Sequence, residues 1–362
     1  MAGATSAGAT PLLPGLPDDI VIWEILVRLP PKALLRCRAV HPSWRRITST
    51  RNFLLTHHAR QPTLLVASGH DDNGSGEYYR DIIVFDHPAT ADAQLQHFTQ
   101  LDERDCSVVA SCDGLLLLSY DTEGACFSIC NPATRQCAPL PVLCDFMMPL
   151  GMYRHRPTGE YRILLYDKNE EETIKEHWVP ARGGTVLSRC GHGAVVLLHG
   201  NMHWYLEQRE NGSDMVLVFD IATESFRQMR APVAQVAPDF PPYNDLFDMD
   251  GMLGMFSCND DAAIIDIWVL KDYENVVWTF KCKIELPVTE MELLCGGHDD
   301  SLYAVVIHGN GELLVLVQFA GWLLQVDMEG KLVGSFHHDK VIASQLQLKQ
   351  TLVPHTFFQT LE

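Results

Sequence analysis

Residues 217–230 read LVFDIATESFRQMR: an apolar run, an aspartate, a short polar turn, then a second strand-like run. The same arrangement recurs along the chain. Its marks are Asp86 (VFDHPAT), Asn131 (ICNPATRQ), Asp167 (LLYDKNE), Asp220, Asp272 (VLKDYEN) and Asp327 (QVDMEGK), at intervals of 45, 36, 53, 52 and 55 residues. A four-stranded blade with its loops takes ~40–50 residues. Turn dipeptides precede several marks: Asp113-Gly114, Gly200-Asn201, Asp250-Gly251 and Asn310-Gly311. Such pairs favour tight hairpins. From about residue 62, short runs such as TLLVAS, GLLLLSY, IIDIWVL and ELLVLVQF alternate with turns, and long helical patterns are missing. Many short strands indicate a sandwich, barrel or propeller, and the repeat selects a propeller-like domain of about six degenerate blades. Such a ring closes by pairing a strand near Thr351–Phe358 with one near Thr63–Ser68, which removes an exposed edge.

The N-terminal part is of another kind. Residues 16–47 read LPDDIVIWEILVRLPPKALLRCRAVHPSWRRI. Pro17 followed by Asp18 and Asp19 suits a helix start. Pro30 ends that helix, Pro31 opens a second and Pro42 a third. The first is apolar almost all round, so it needs cover on several sides. Three short helices bury little surface alone, so a partner or the neighbouring domain must complete their core. The fold class is therefore mainly β with a small all-α module. The boundaries are a disordered leader over 1–15, the helical module over 16–60 and the propeller-like domain over 61–362.

Charge separates the two parts. Residues 17–60 carry eight basic and three acidic side chains, whereas the chain as a whole is −19, which leaves −24 on residues 61–362. A body that acidic repels nucleic acid and anionic lipid. No run of apolar residues is long enough to span a membrane, and the leader lacks the basic and apolar regions of a secretory signal. The 11 cysteines include no CxxC, so zinc-ribbon spacing fails and reduced, half-buried strand cysteines are expected. Location in the cytoplasm and/or nucleus follows.

No catalytic motif is present: neither GxSxG, HExxH nor GxxxxGK[ST] occurs. Asp248 and Asp250 imitate part of a calcium loop, but Leu246 and Ser257 occupy its first and last ligand positions. His203-Trp204 reads as a core pair, with Trp204 filling a blade and His203 bonding backbone. Trp268 and Trp278 read as a cross-strand pair. Glu170-Glu171-Glu172 and Asp71–Gly74 read as exposed loops. No metal or cofactor is implied, and the chain reads as a non-enzyme.

The helical block resembles the F-box. The resemblance rests on Leu16-Pro17, Ile25-Leu26, Leu29-Pro30, the run LLRCRAV from Leu34 to Val40, and Ser43-Trp44-Arg45; His41-Pro42 replaces the usual Cys-Lys. SCDGLLLLSY, CNPATRQCAPLP, GNMHWYL, LVFDIATESFRQMRAP and IDIWVLKDYENVVWTFKCKIEL resemble, in order, the motifs of the plant F-box-associated domain, regarded as kelch-like. The resemblance implies a substrate-recognition subunit of an SCF-type (Skp–cullin–F-box) ubiquitin ligase. It implies adaptor contact through Leu16, Pro17, Ile20, Leu26, Leu29, Pro30, Leu34, Leu35, Val40 and Trp44, buried partly internally and partly against the adaptor. Arg28, Lys32, Arg36 and Arg38 would favour an acidic adaptor face. A Skp-type adaptor, a cullin and a target protein are the partners implied; target-binding residues stay unassigned. The alternative class is a propeller that binds a small molecule or glycan outside a ligase.

Overall fold

The computed structural model describes residues 16–72, 78–86, 94–101, 106–122, 124–142, 147–167, 195–206, 214–232, 242–259, 263–296, 302–309, 312–337, 342–355 and 357–358. The leader, Glu170–Glu172 and Asn310-Gly311 lie outside them. Asp71 and Asp72 lie inside a strand rather than in a loop.

The strands pair in chain order. β1 (Thr63–Asp72), β2 (Tyr78–Asp86) and β3 (Gln94–Leu101) form one sheet; β4 (Cys106–Cys112), β5 (Leu115–Thr122), β6 (Gly124–Asn131) and β7 (Gln136–Pro139) the next. β8 (Met147–Arg154) and β9 (Tyr161–Asp167) form a two-stranded sheet. Then come β10 (Val196–Leu198), β11 (Asn201–Leu206), β12 (Met215–Asp220) and β13 (Ser225–Arg230), followed by β14 (Tyr243–Met249), β15 (Met252–Asn259), β16 (Ile264–Asp272) and β17 (Val277–Glu285). The last set is β18 (Tyr303–Gly309), β19 (Glu312–Phe319), β20 (Trp322–Val326) and β21 (Leu332–His337); β22 (Ile342–Lys349) returns to join β1. All pairings are antiparallel.

This is a propeller-like domain. Among the described residues, an apolar cluster lies between each sheet and its neighbour, and the last cluster joins Val305, Leu314 and Leu316 back to Leu65 and Ala67. Ring closure has the expected form but a different address. The closing strand is Ile342–Lys349, with Thr63 opposite Lys349 and Ser68 opposite Ile342, and not 351–358.

The repeated Asp and Asn marks share one turn chemistry. Asn131, Asp220, Asp272 and Asp327 each sit at the end of the third strand across their sheet. Each Oδ1 accepts the amide two residues on, from Ala133 (3.0 Å), Ala222 (2.8 Å), Glu274 (3.1 Å) and Glu329 (3.0 Å). These bonds hold the Asp220 carboxyl below its usual range, chiefly through the Thr223 amide, and likewise Asp272, chiefly through the Asn275 side chain. Asp167 differs, because it ends the second strand of its sheet. Asp113-Gly114 and Asp250-Gly251 form hairpin turns with positive φ at both residues, as do Ala320-Gly321 and His199-Gly200, the last one residue earlier than the Gly200-Asn201 reading. Asp248 serves its own turn, accepting the Gly251 amide at 2.8 Å.

Three local readings need correction. Trp268 and Trp278 do not face one another. Two irregularities in the β16–β17 ladder set Trp268 opposite Phe280 and Leu270 opposite Trp278, and Trp278 donates to Arg230 O of the neighbouring sheet at 2.9 Å. Cys130 and Cys137, directly opposed across the β6–β7 hairpin, are joined in a disulfide, against the expectation of reduced thiols throughout. Helices also exceed expectation: α4 (Arg51–Arg60) and α5 (Val288–Cys295) were hidden by weak apolar periodicity.

The N-terminal block comprises α1 (Asp18–Ile20), a π-turn over Val21–Ile25, a 3-10 turn over Leu26–Arg28, α2 (Pro31–Val40), α3 (Pro42–Thr48) and α4. Its core holds Val21, Ile22, Leu26, Val27, Leu34, Phe53 and Leu54. The neighbouring domain completes that core, as the small size of the block demanded: Leu352 lies inside it, with Val353 and Ala133 packed against it.

Candidate functional site

The helical block is tied together around the Leu29-Pro30 break. Proline cannot continue the helix, so the Leu29 carbonyl needs a partner from elsewhere. α4 supplies it: His57 Nε2 lies 2.8 Å away and Gln61 Nε2 donates at 3.2 Å. Burial pushes the His57 pKa down. At the other side, Arg38 Nε donates to Thr48 Oγ1 at 2.9 Å and its guanidinium also reaches Thr48 O. Burial lowers the Arg38 pKa from its ordinary value. His41 accepts the Trp44 amide on Nδ1 at 3.4 Å, so the unusual His41-Pro42 pair serves as cap and first residue of α3.

This internal wiring decides which side chains remain for a partner. Of the ten residues expected to contact an adaptor, Leu26 and Leu34 are fully enclosed and belong to the internal share. Leu29 and Trp44 are half-buried. Leu16, Pro17, Ile20, Pro30, Leu35 and Val40 are exposed, Val40 by 75%. Ile25, of the Ile-Leu pair, is exposed as well, although it is not among the ten expected. These large apolar side chains are left in water on a small module. Among the basic residues, Arg38 is internal and Arg28 pairs with Glu24 at 2.5 Å, both largely exposed, a contact worth little. Lys32 and Arg36 are exposed.

The ring offers less. Its central cavity, about 240 Å³, is lined by Ser111, Asp113, Asp248, His308, Gln345 and Gln347 among others, and Phe247, which also lines it, is buried. His203 and Trp204 are structural. Trp204 is 3% exposed and donates to Leu150 O at 2.9 Å; His203 is enclosed between Val196 O (3.1 Å) and the Tyr273 hydroxyl (2.7 Å). Burial lowers the His203 pKa to about 4. An unfolded histidine titrates near 6.5, so the unfolded chain binds the extra proton first as pH falls. The stabilisation is therefore complete above pH 6.5 and is lost progressively towards pH 4. Urea titrations at pH 7 and pH 4.5 should show the stability advantage of the wild type over His203→Gln shrinking by ~2–3 kcal/mol. A pH-independent difference would contradict a buried neutral imidazole.

No group of three or more His, Cys, Asp or Glu among the described residues is arranged to hold a metal ion, and no described helix is long and apolar enough to cross a membrane.

Comparison with known proteins agrees with this division. Residues 13–56 match the F-box domain, and residues 53–326 match the F-box associated beta propeller domain. F-box protein At4g19940 of Arabidopsis thaliana is 24% identical over 348 residues, covering 84% of this chain and 80% of its own. F-box protein At5g49610 of the same plant is 24% identical, covering 75% and 79%. F-box/kelch-repeat protein At4g19930, also from Arabidopsis thaliana, is 25% identical, covering 78% and 72%. The matched segments overlap at residues 53–56, inside α4, and together they cover both the apolar helices and most of the ring: the chain belongs to the F-box proteins that carry an F-box-associated β-propeller domain.

Proposed function

We propose that the chain is the target-recognition subunit of an SCF-type ubiquitin ligase. The module over 16–60 docks a Skp-type adaptor and, through it, a cullin. The domain over 61–362, read as six blades with the β8–β9 sheet as the third, holds a target protein. The observation that carries this reading is the set of exposed apolar side chains on the F-box: Leu16, Ile20, Ile25, Leu35 and Val40 are each at least 40% exposed. Their burial against a partner, at ~25 cal/mol per Å², is the main attraction. Lys32 and Arg36 add steering towards an acidic face.

The chain itself is non-catalytic in this reading. It supplies effective concentration, keeping target lysines close to the ubiquitin-charged enzyme held by the other subunits. Ubiquitination then leads to proteasomal degradation, in the cytoplasm and/or nucleus. The glycan-binding alternative draws less support, because the cavity presents no exposed aromatic platform among the described residues.

Affinity purification of the chain from plant cells under proteasome inhibition should recover adaptor and cullin together with ubiquitinated target. Recovery of the chain without adaptor or cullin would contradict the receptor reading.

A further inference from the structure

The segment that follows the closing strand connects three parts of the molecule. Lys349, the last residue of β22, donates through Nζ to Ala59 O of α4 at 2.7 Å, and His58 Nδ1 meets Gln350 O at 3.0 Å. Thr351 is 1% exposed, and its carbonyl accepts Asn131 Nδ2 at 3.2 Å, from the turn between β6 and β7. Leu352, 5% exposed, enters the helical core beside Val353 and Ala133. Farther on, His355 and Phe357 pack on Tyr161 with ring centres 5.4 and 5.9 Å away, and Phe358 enters the apolar cluster between the β4–β7 and β8–β9 sheets.

The F-box core therefore contains a side chain from about 300 residues downstream, and that side chain is delivered by the strand that closes the ring. An 8-residue pairing strand places Leu352 three residues past its end. If β22 is not seated on β1, Leu352 is not presented to α4, and the helical block loses part of a core that is already small.

We propose that residues 350–355, with Phe357 and Phe358, form a completion strap, so that the F-box becomes docking-competent only in a chain whose propeller has closed. The strap makes ring closure a precondition for adaptor binding: a chain with an unfinished or opened propeller presents no stable docking module and does not enter the ligase. The same anchors fix the F-box on one side of the ring, at the turn that carries Asn131 and Ala133. This inference rests on the adaptor-docking reading for its consequence, whereas the strap itself can be tested apart from it.

The test uses the full chain with Leu352→Asp, which sets a charge in the helical core, and Leu352→Met as the conservative partner. Two quantities are read: hydrogen exchange along the chain and binding of purified Skp-type adaptor. For Leu352→Asp, amides over Phe53–His57 should exchange on the order of 30-fold faster or more, while those over Val315–Val317 keep wild-type protection. Adaptor affinity should fall by at least about tenfold, since only a minor population retains the docked-competent helices. Leu352→Met should match the wild type in both. Unchanged helix protection in Leu352→Asp would overturn the strap, as would equal loss of protection in helices and ring. If the wild type itself binds no adaptor, the receptor reading fails while the exchange result still decides on the strap.

Discussion

Trp204→Ala is expected to destabilise the ring by ~3–5 kcal/mol, the ordinary range for truncating a large buried aromatic. Trp204 sits on β11, the second strand of its sheet, and is 3% exposed. It packs with Leu150, Tyr153, Leu164, Leu217 and Phe219, so it belongs to the seal between two adjacent sheets and not to one sheet alone. Its Nε1–H satisfies Leu150 O across that boundary at 2.9 Å. Alanine removes the ring volume and leaves a buried carbonyl short of a partner, a further cost of ~1–3 kcal/mol if no water enters. Trp204→Phe keeps most of the apolar area and loses the hydrogen bond, so it should recover more than half of the loss. Chemical denaturation monitored by far-ultraviolet circular dichroism reads both variants. A loss below ~1 kcal/mol for Trp204→Ala would show that the inter-sheet cluster is not a sealed core.

The second large effect concerns docking. Leu16→Ala combined with Pro17→Ala is expected to weaken adaptor binding ~10- to 1,000-fold. Leu16 is 40% exposed, and its truncation removes area that the partner would cover. Pro17 fixes the backbone entry into α1 and its carbonyl accepts the amides of Ile20 and Val21 at 3.0 and 3.2 Å. Neither residue contributes to any inter-sheet cluster, so the ring should keep its wild-type denaturation midpoint. Target capture should persist, and captured targets should accumulate because ubiquitin transfer has stopped. Loss of adaptor together with loss of ring stability would point to misfolding instead of a lost contact.

What could be read from the residues alone follows from the range of the interactions. The Asx turns at Asn131, Asp220, Asp272 and Asp327 and the hairpins at Asp113-Gly114 and Asp250-Gly251 are settled within four residues, so their spacing disclosed a ring of strands. The F-box helices were legible because prolines 17, 30, 31 and 42 punctuate them. α4 was not, because Phe53, Leu54 and Leu55 are adjacent and its remaining positions are mostly polar, which hides the helical period. Trp268 and Trp278 misled because a ladder irregularity shifts every partner beyond it. The Cys130–Cys137 disulfide was within reach: a hairpin through Asn131–Gln136 sets the two cysteines opposite each other. Leu352 was out of reach, since only the folded ring brings it to α4.

The division of the ten adaptor-contact residues has the same origin. Sequence marks apolar positions but not the direction in which each points. Leu26 opens the 3-10 turn that follows the π-turn, and Leu34 lies on the inner face of α2; both are enclosed. The surface that remains, from Leu16 through Ile20 and Ile25 to Leu35 and Val40, is what a partner can meet.

The most direct test of the receptor account is a hydrogen-exchange footprint of the purified full chain with and without a purified Skp-type adaptor. The account predicts saturable protection confined to residues 16–47, absent in the Leu16→Ala/Pro17→Ala variant, with the amides of β1–β22 unchanged. No protection at saturating adaptor, or protection located on the ring with 16–47 unaffected, would contradict it.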